Sequence, residues 1–483
     1  MQALASPLPW LILLPLAGAL AGVLSRRGQR LHTVAALGLF LTACWQWRRT
    51  GATGTEPLVP GDLAARLGIM LQADGLAANM VMMTSVVCLA AIFHARRYFR
   101  YRREQHRWFL PLMWLLWATL HHLWLASDVF TLYIGVELLG LVAVAMIAMS
   151  NEARALSAAI RYLLATLLGS LSYLLGAGLL YGSHGTLALG GLAPDVTPGG
   201  SDGVALGLMF AGLLLKAAVF PIHGWLPPAH GSATTPVSVV HSALVVKASV
   251  FVMLRLWQSL DAALAETPVS LLLGLLGLAS MLWGSLMALR QERLKMVVAY
   301  STVAQTGYLL LFFPLVDVAL DQARALALEG TLYQMLAHGL AKASLFMAAG
   351  NLILATGRDH IASLAGTGRY LPMTLVTIGM AATSLMGLPP AAGFVAKWQL
   401  AHSALLSGQW WWMIALLAGG LLTATYLFRV MRQSFLEGPE EDIFRHPPRT
   451  LEIAAFVLAL ISLLLGLGAM APLSLLQIAG GAP

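Results

Sequence analysis

The 483-residue chain is 59% hydrophobic and only 10% charged, against roughly 25% charged in an ordinary soluble domain, so water is not its main solvent. Its only two cysteines, Cys44 and Cys88, cannot by themselves hold an iron–sulfur cluster or a structural zinc. No Gly-rich phosphate loop follows a strand pattern and no His-Glu-x-x-His occurs, so we expect neither cofactor nor metal in this chain, and any redox chemistry must sit on a partner. The formal charge of +8 is spread as a topology signal and not gathered in one patch, which argues against nucleic acid.

A bilayer core takes about 20 mostly apolar residues per helix. Such runs recur at 8–25, 32–47, 77–95, 109–126, 128–149, 157–182, 203–220, 236–258, 269–289, 297–314, 329–355, 372–401, 410–431 and 451–473. The chain therefore reads as an all-α integral membrane protein of about fourteen transmembrane helices. The first run lacks the basic flank and small-residue cleavage site of a signal peptide, so it is expected to stay as a helix.

Cytoplasmic loops collect Lys and Arg. The loops after odd-numbered segments, with the adjoining helix ends, hold Arg26, Arg27, Arg30, Arg96, Arg97, Arg100, Arg102, Arg103, Arg107, Arg154 and Arg161. The same side continues with Arg290, Arg293, Lys295, Arg358, Arg369, Arg429, Arg432, Arg445 and Arg449. The opposite side has Arg48, Arg49, Arg66, Arg255 and Arg324. Both termini are thus expected on the outer, periplasmic side of a cell inner (plasma) membrane. The remaining basic residues are Lys216, Lys247, Lys342 and Lys397, four of the five lysines in the chain, all inside apolar segments. Arginine stays charged at any relevant pH whereas lysine can titrate, so the sequence divides topology and interior chemistry between the two.

Glu137 lies in mid-segment in Tyr-Ile-Gly-Val-Glu-Leu-Leu-Gly, where a lone carboxylate costs several kcal/mol unless paired or protonated, and Lys216 is its expected partner. The blander alternatives are a neutral acid in a packing hydrogen bond and a lysine snorkelling to the interface. Pro221-Ile-His-Gly-Trp-Leu-Pro-Pro-Ala-His230 cannot continue a regular helix, with Pro221 and Pro227 as breakers. A second break falls at Gly-Leu-Pro389-Pro390, with Lys397 just beyond it. Irregular backbone at membrane depth belongs inside protein or beside water, and two interrupted helices in corresponding halves mark an inverted-repeat transporter. His338 and Lys342 are four apart and share a helix face. A histidine titrates near neutral pH and a desolvated lysine gives up its proton more readily than a solvated one, which makes them a candidate relay. His223, His230 and His241, with His121 and His122, are weaker candidates, since a lone membrane histidine is more often a packing residue.

The run Leu-Leu-Leu-Lys216-Ala-Ala-Val-Phe-Pro-Ile-His-Gly-Trp-Leu-Pro-Pro-Ala-His, followed by Thr-Pro-Val-Ser and Val-Val-Lys247-Ala-Ser, resembles the signature of the antiporter-like subunits of respiratory complex I and of Mrp-type cation/proton antiporters. Leu294-Lys-Met-Val-Val-Ala-Tyr-Ser-Thr-Val-Ala-Gln-Thr-Gly-Tyr308 and Gly-Leu-Pro-Pro-Ala-Ala-Gly-Phe-Val-Ala-Lys397 are similar to two further motifs, so the likeness spans roughly residues 75 to 435. It implies fourteen helices with two inverted five-helix repeats and broken seventh and twelfth helices. The chain would divide into 1–108 (helices 1–3), 109–258 (first repeat, helices 4–8), 259–435 (second repeat, helices 9–13) and 436–483 (C-terminal loop and helix 14). It further implies that Glu137 and Lys216 form the charged pair, that Lys247 is the central lysine, that His338 and Lys342 are the eleventh-helix motif, and that Lys397 is the terminal group.

Lysine at 397, where one complex I subunit carries Glu, and the Val-Val-Lys motif bring the chain nearest the Mrp D subunit and the shorter complex I paralogues. The lack of a lateral-helix extension points the same way. Implied partners are other membrane subunits, paralogous antiporter-like ones among them, the lipid bilayer, and protons with Na+ or K+. The readings left open are an Mrp-type antiporter subunit, a complex I-like subunit, a proton-pumping subunit of an energy-converting hydrogenase, and a purely structural membrane subunit.

Overall fold

The structure, a computed structural model, describes residues 6–24, 29–58, 70–100, 103–197, 199–264, 267–438 and 446–479. Arg26, Arg27, Arg66, Arg102 and Arg445 of the topology argument lie outside them. Hydrocarbon offers the backbone no hydrogen bonds, so each apolar run satisfies its own N–H and C=O groups by coiling. The principal helices are α1 (Leu8–Leu24), α2 (Gln29–Thr53), α3 (Gly75–Tyr98), α4 (Arg103–Leu125), α5 (Val129–Ala148), α6 (Ala153–His184), α7 (Gly200–Lys216) and α8 (Leu226–Ser232). They continue as α9 (Thr235–Ser259), α10 (Val269–Arg290), α11 (Leu294–Leu310), α12 (Asp321–Thr356), α13 (Pro372–Met386), α14 (Ala392–Leu406), α15 (Trp411–Phe435), α16 (Arg449–Leu464) and α17 (Met470–Ala479). A two-stranded antiparallel ribbon, Glu56–Leu58 with Leu71–Ala73, closes one end.

Every predicted segment holds a helix, but only eight stretches of described residues are long and apolar enough to cross a membrane unaided. They are α3, α5, α6, α9, α10, α11 with its extension to Val316, α12 and α15. Part of the shortfall lies in the broken segments; α1 and α16, at 17 and 16 residues, are short as well. The 372–401 run is two 15-residue helices, α13 and α14, each about 22 Å long at 1.5 Å per residue, against a hydrocarbon core of about 30 Å.

The first break also differs from expectation. Pro221 lies in the irregular stretch between α7 and α8, whereas Pro227 and Pro228 sit in the first turn of α8. A first-turn proline lacks only an N–H that has no intrahelical acceptor anyway, so these two start a helix and do not break one.

Layering follows burial. Helices α9, α11 and α12 run through the centre: the apolar window of α9 is entirely buried, with 89% of that in α11 and 83% of that in α12, against 39% for α6 and α15. On α6, Ile160, Leu164, Leu168, Leu171 and Leu175 are 58 to 63% exposed along one face, a continuous apolar stripe suited to acyl chains. Where helices touch most closely, glycines permit it: a Cβ on Gly169 would lie 2.7 Å from the Gly212 carbonyl, and one on Gly212 2.2 Å from that of Gly169.

At the ribbon end, Asp74 caps α3 by accepting from the Ala77 N–H at 2.8 Å and forms a two-pronged ion pair with Arg255. Burial alone would raise the Asp74 carboxyl, but the guanidinium and the cap N–H groups outweigh it and hold the carboxyl below its ordinary value. A carboxyl lowered in the folded state stabilises it above the unfolded value near 3.8 and loses that contribution as pH falls through the folded value. Asp74→Asn should therefore lower the thermal midpoint at pH 7, with the difference from the parent shrinking below about pH 4; an equal difference at both pH values would count against the pair.

Candidate functional site

Lys216 is the last residue of α7, just before the break, and is 7% exposed. Its ammonium lies 3.5 Å from Glu137 Oε2 on α5 and donates to Thr166 Oγ1 on α6 at 2.8 Å and to the Val136 carbonyl at 3.3 Å. Glu137 also accepts from the Ser170 hydroxyl. The carboxylate so anticipated has its partner, and the lysine at the end of α7 is held inward by α5 and α6. Thr166 was not singled out in the sequence. It reaches Lys216 because Gly140 leaves room: a Cβ there would sit 2.3 Å from Thr166 Oγ1. A small cavity of about 10 Å³ beside Lys216, room for about one water, is lined by Thr166, Tyr162 and, from α9, Ser249.

Lys247 is fully buried on α9. The helix is π-helical over His241–Val245, and the Lys247 ammonium donates to the Ser242 carbonyl at 3.1 Å, five residues back across that wide turn. Such bulges widen one turn, re-aim the side chains that follow, and occur often at functional sites. His338 on α12 is within electrostatic reach of both Lys247 and Lys342. Lys342, also fully buried, donates at 2.5 Å to both the Val298 carbonyl and Ser301 Oγ on α11. Its ammonium lies 5.5 Å from the Phe346 ring, whose other contact is the His230 ring at 5.2 Å. His230 and His241 face each other at 6.4 Å.

Lys397 on α14 reaches back over the second break. It donates to the carbonyls of Leu385 and Met386, the last residues of α13, at 3.0 and 2.8 Å, and its ammonium lies 4.4 Å from the Tyr308 ring centroid. Carbonyls at a helix end have no intrahelical donor and carry the negative end of the macrodipole, so a cation there satisfies both. Around it lies a buried polar set that the sequence pattern does not single out. Gln305 donates to the Leu385 carbonyl at 3.3 Å and to Thr423 Oγ1 at 3.4 Å, and accepts from Gln334 at 2.9 Å.

The remaining histidines divide. His121 is tied by Leu11 O at 2.8 Å, Trp117 Nε1 at 2.9 Å and Ser85 Oγ at 3.3 Å, which suits the neutral Nδ1–H tautomer in a packing role between α1, α3 and α4. His223 lies at the first break and accepts from Trp283 Nε1 at 3.1 Å. His122 stands one residue beyond His121 on α4, within electrostatic reach of Asp128.

The structure thus pairs Glu137 with Lys216, sets Lys247, His338 and Lys342 within electrostatic reach of one another, and seats Lys397 at the end of α13. On the Arg-rich side, a cavity of about 680 Å³ opens between the starts of α6 and α11 and the α8–α9 junction, lined by Arg154, Arg161, Arg293, Lys295, Tyr98 and Thr234. Among the described residues no group of three or more His, Cys, Asp or Glu is placed to hold a metal.

Residues 126–423 match the family described as NADH:quinone oxidoreductase/Mrp antiporter, transmembrane. The chain belongs to that family. It is 37% identical over 377 residues to the N subunit of the NADH-quinone oxidoreductase of Desulforudis audaxviator, covering 77% of this chain and 74% of that protein. It is 26% identical over 424 residues to the D subunit of the Na(+)/H(+) antiporter of Bacillus subtilis, covering 86% and 83%. Among solved structures its fold is similar to a chain of the Mrp complex from Dietzia sp. DQ12-45-1b (TM-score 0.86, 24% identity, 99% and 97% of the two chains). A chain of respiratory complex I from Thermus thermophilus gives a TM-score of 0.75 at 25% identity over 96% and 98%. The fold is accordingly the helical membrane fold of Mrp and complex I subunits, and the family resemblance read from the motifs holds.

Proposed function

We propose that this chain is a proton-translocating subunit of a multi-subunit membrane complex, moving protons through its buried Lys, Glu and His residues with the help of water. The observation that carries this reading is the row of lysines held in the bundle interior, each ammonium seated on carbonyls or hydroxyls and not stretched to a headgroup. A charge pair at about 4 Å is worth about 4 kcal/mol at an effective dielectric near 20, about three decades in proton affinity. Opening and closing Glu137–Lys216 is then enough to decide whether a neighbouring lysine holds its proton. The basic-side cavity is the mouth, Lys247, His338 and Lys342 the middle, and Lys397 the exit or entry at the far end.

Fourteen spans, arranged as two inverted five-helix repeats within 109–258 and 259–435, fit this reading. In each proposed repeat the lysine at the break leans on the repeat's second helix, Lys216 on α5 and Lys397 on α11 through Tyr308. The proposed orientation, both termini periplasmic at the inner membrane, gains support from the ion pairs: Arg49, Arg255 and Arg324 on the outward side are neutralised by Glu56, Asp74 and Asp261. The unneutralised positive charge is therefore more one-sided than the residue tally.

Relatives of this chain carry names from both redox-driven and gradient-driven assemblies, so the partners are the other membrane subunits of one or the other, and Na+ or K+ enters only in the second. Subunits copurifying in mild detergent separate the two. The function is tested in proteoliposomes of the intact complex with a pH-sensitive dye. Lys247→Ala and Lys342→Ala are expected each to reduce proton transport by about tenfold or more while the complex still assembles. Parental transport by both would leave a structural subunit.

A further inference from the structure

Between Lys342 and Lys397 runs a line of four buried hydroxyls, two from α11 and two from α15. Ser301 Oγ accepts from Lys342 at 2.5 Å. The Tyr426 hydroxyl lies beside Ser301 and donates to Thr423 Oγ1 at 3.3 Å. Thr423 in turn contacts the Tyr308 hydroxyl, which accepts from Lys397 at 3.4 Å. All four residues are fully buried. Ser301 and Tyr308 are seven residues, two turns, apart on one face of α11, and Thr423 and Tyr426 are three apart on the facing side of α15.

The helices are shaped for this contact. A Cβ on Gly419 would stand 2.3 Å from the Tyr308 hydroxyl oxygen, so only glycine lets that hydroxyl reach Thr423 one turn on. A hydroxyl both donates and accepts and turns freely about its C–O bond, which is what a proton relay requires of each member. The amide of Gln305, which also touches Thr423, has fixed donors and acceptors and braces the line without carrying a proton.

We infer that Ser301, Tyr426, Thr423 and Tyr308 form a hydroxyl relay that carries the proton directly between Lys342 and Lys397. The inference rests on the proton-translocating reading of the chain. The Lys342 ammonium gives a proton to Ser301 Oγ, Ser301 passes its own to Tyr426 Oη, Tyr426 to Thr423 Oγ1, Thr423 to Tyr308 Oη, and Tyr308 to the neutral amine of Lys397. Each hydroxyl ends with one proton, Lys342 ends neutral and Lys397 charged; rotation of the hydroxyls resets the line. In the structure two members are turned away: Ser301 donates to its own helix at Val298 O, 2.9 Å, and Thr423 to Gly419 O, 2.8 Å. Such back-bonding is the ordinary resting place of Ser and Thr on a helix, so the line stays closed until those two hydroxyls turn and the Ser301–Tyr426 and Thr423–Tyr308 neighbours come within hydrogen-bond distance.

The test is proton transport by the intact complex in proteoliposomes carrying Thr423→Val, Thr423→Ser and Tyr426→Phe. Valine keeps the shape and removes the hydroxyl, whereas serine keeps the hydroxyl. Thr423→Val and Tyr426→Phe should each slow transport by about tenfold, Thr423→Ser should restore it to within about twofold of the parent, and the slowing in D2O should be larger in the parent than in Thr423→Val. Parental rates in Thr423→Val and Tyr426→Phe, while Lys342→Ala and Lys397→Ala are inactive, would overturn the relay and leave the function standing. Should the lysine variants also transport at parental rate, the functional reading itself falls. If Tyr426→Phe does not assemble, the valine and serine variants decide alone.

Discussion

Replacing Lys216 by alanine is expected to cut proton transport of the reconstituted complex by about two orders of magnitude, since the loss of a charge coupling worth about 4 kcal/mol is divided between the two protonation states. The same change strands Glu137, whose remaining partner is the Ser170 hydroxyl, and leaves Thr166 without its donor. Removing one member of a largely buried pair costs more than removing both. Lys216→Ala should therefore lower the thermal midpoint as well as the rate, and the two effects have to be separated. The double variant Lys216→Met with Glu137→Gln does so. Methionine fills the space of the lysine stem and glutamine keeps an acceptor for Ser170, so assembly and midpoint should return close to the parent while transport stays low. Parental transport by a well-assembled double variant would mean that the pair holds α5 to α7 and does no more.

The same pair illustrates what was legible in the sequence. A carboxylate or an ammonium within an apolar run is an anomaly of several kcal/mol, so Glu137 and the four lysines stand out against their neighbours, and the requirement for a partner makes their convergence foreseeable. Hydroxyls and amides raise no such flag. Ser, Thr and Tyr are ordinary in membrane helices because each can back-bond to its own helix, as Thr166, Ser301 and Thr423 have the chemistry to do, and only the crossing of α6 with α7, of α11 with α12 and of α11 with α15 gives them a distinct partner.

The fold was legible to the extent that hydropathy decides it. Apolar runs located the helices, but helix ends are set by packing: α12 begins at Asp321, eight residues before the apolar run at 329, because its first turns continue a helix that α14 and α16 bury further on. Proline position depends on packing for a related reason. Three prolines close together read as one break, yet Pro227 and Pro228 occupy first-turn sites where the missing N–H costs nothing.

At the second break the conformation of one glycine bears on Lys397. Gly387 ends α13 at φ +82°, and a Cβ there would lie 2.5 Å from Lys397 Cδ. Gly387→Ala combines two penalties: the left-handed backbone costs an L-residue about 1–2 kcal/mol, and the lysine stem has to move off its path to the Leu385 and Met386 carbonyls. Gly408 separates them. It ends α14 at φ +72° with nothing within 4 Å of its would-be Cβ, so Gly408→Ala carries the backbone strain alone. Both variants should lose a similar part of the thermal midpoint, but only Gly387→Ala should slow proton transport, by about tenfold, with every ionisable group still present. Equal transport in the two variants would show that the seat of the Lys397 ammonium on the end of α13 does not govern its proton exchange.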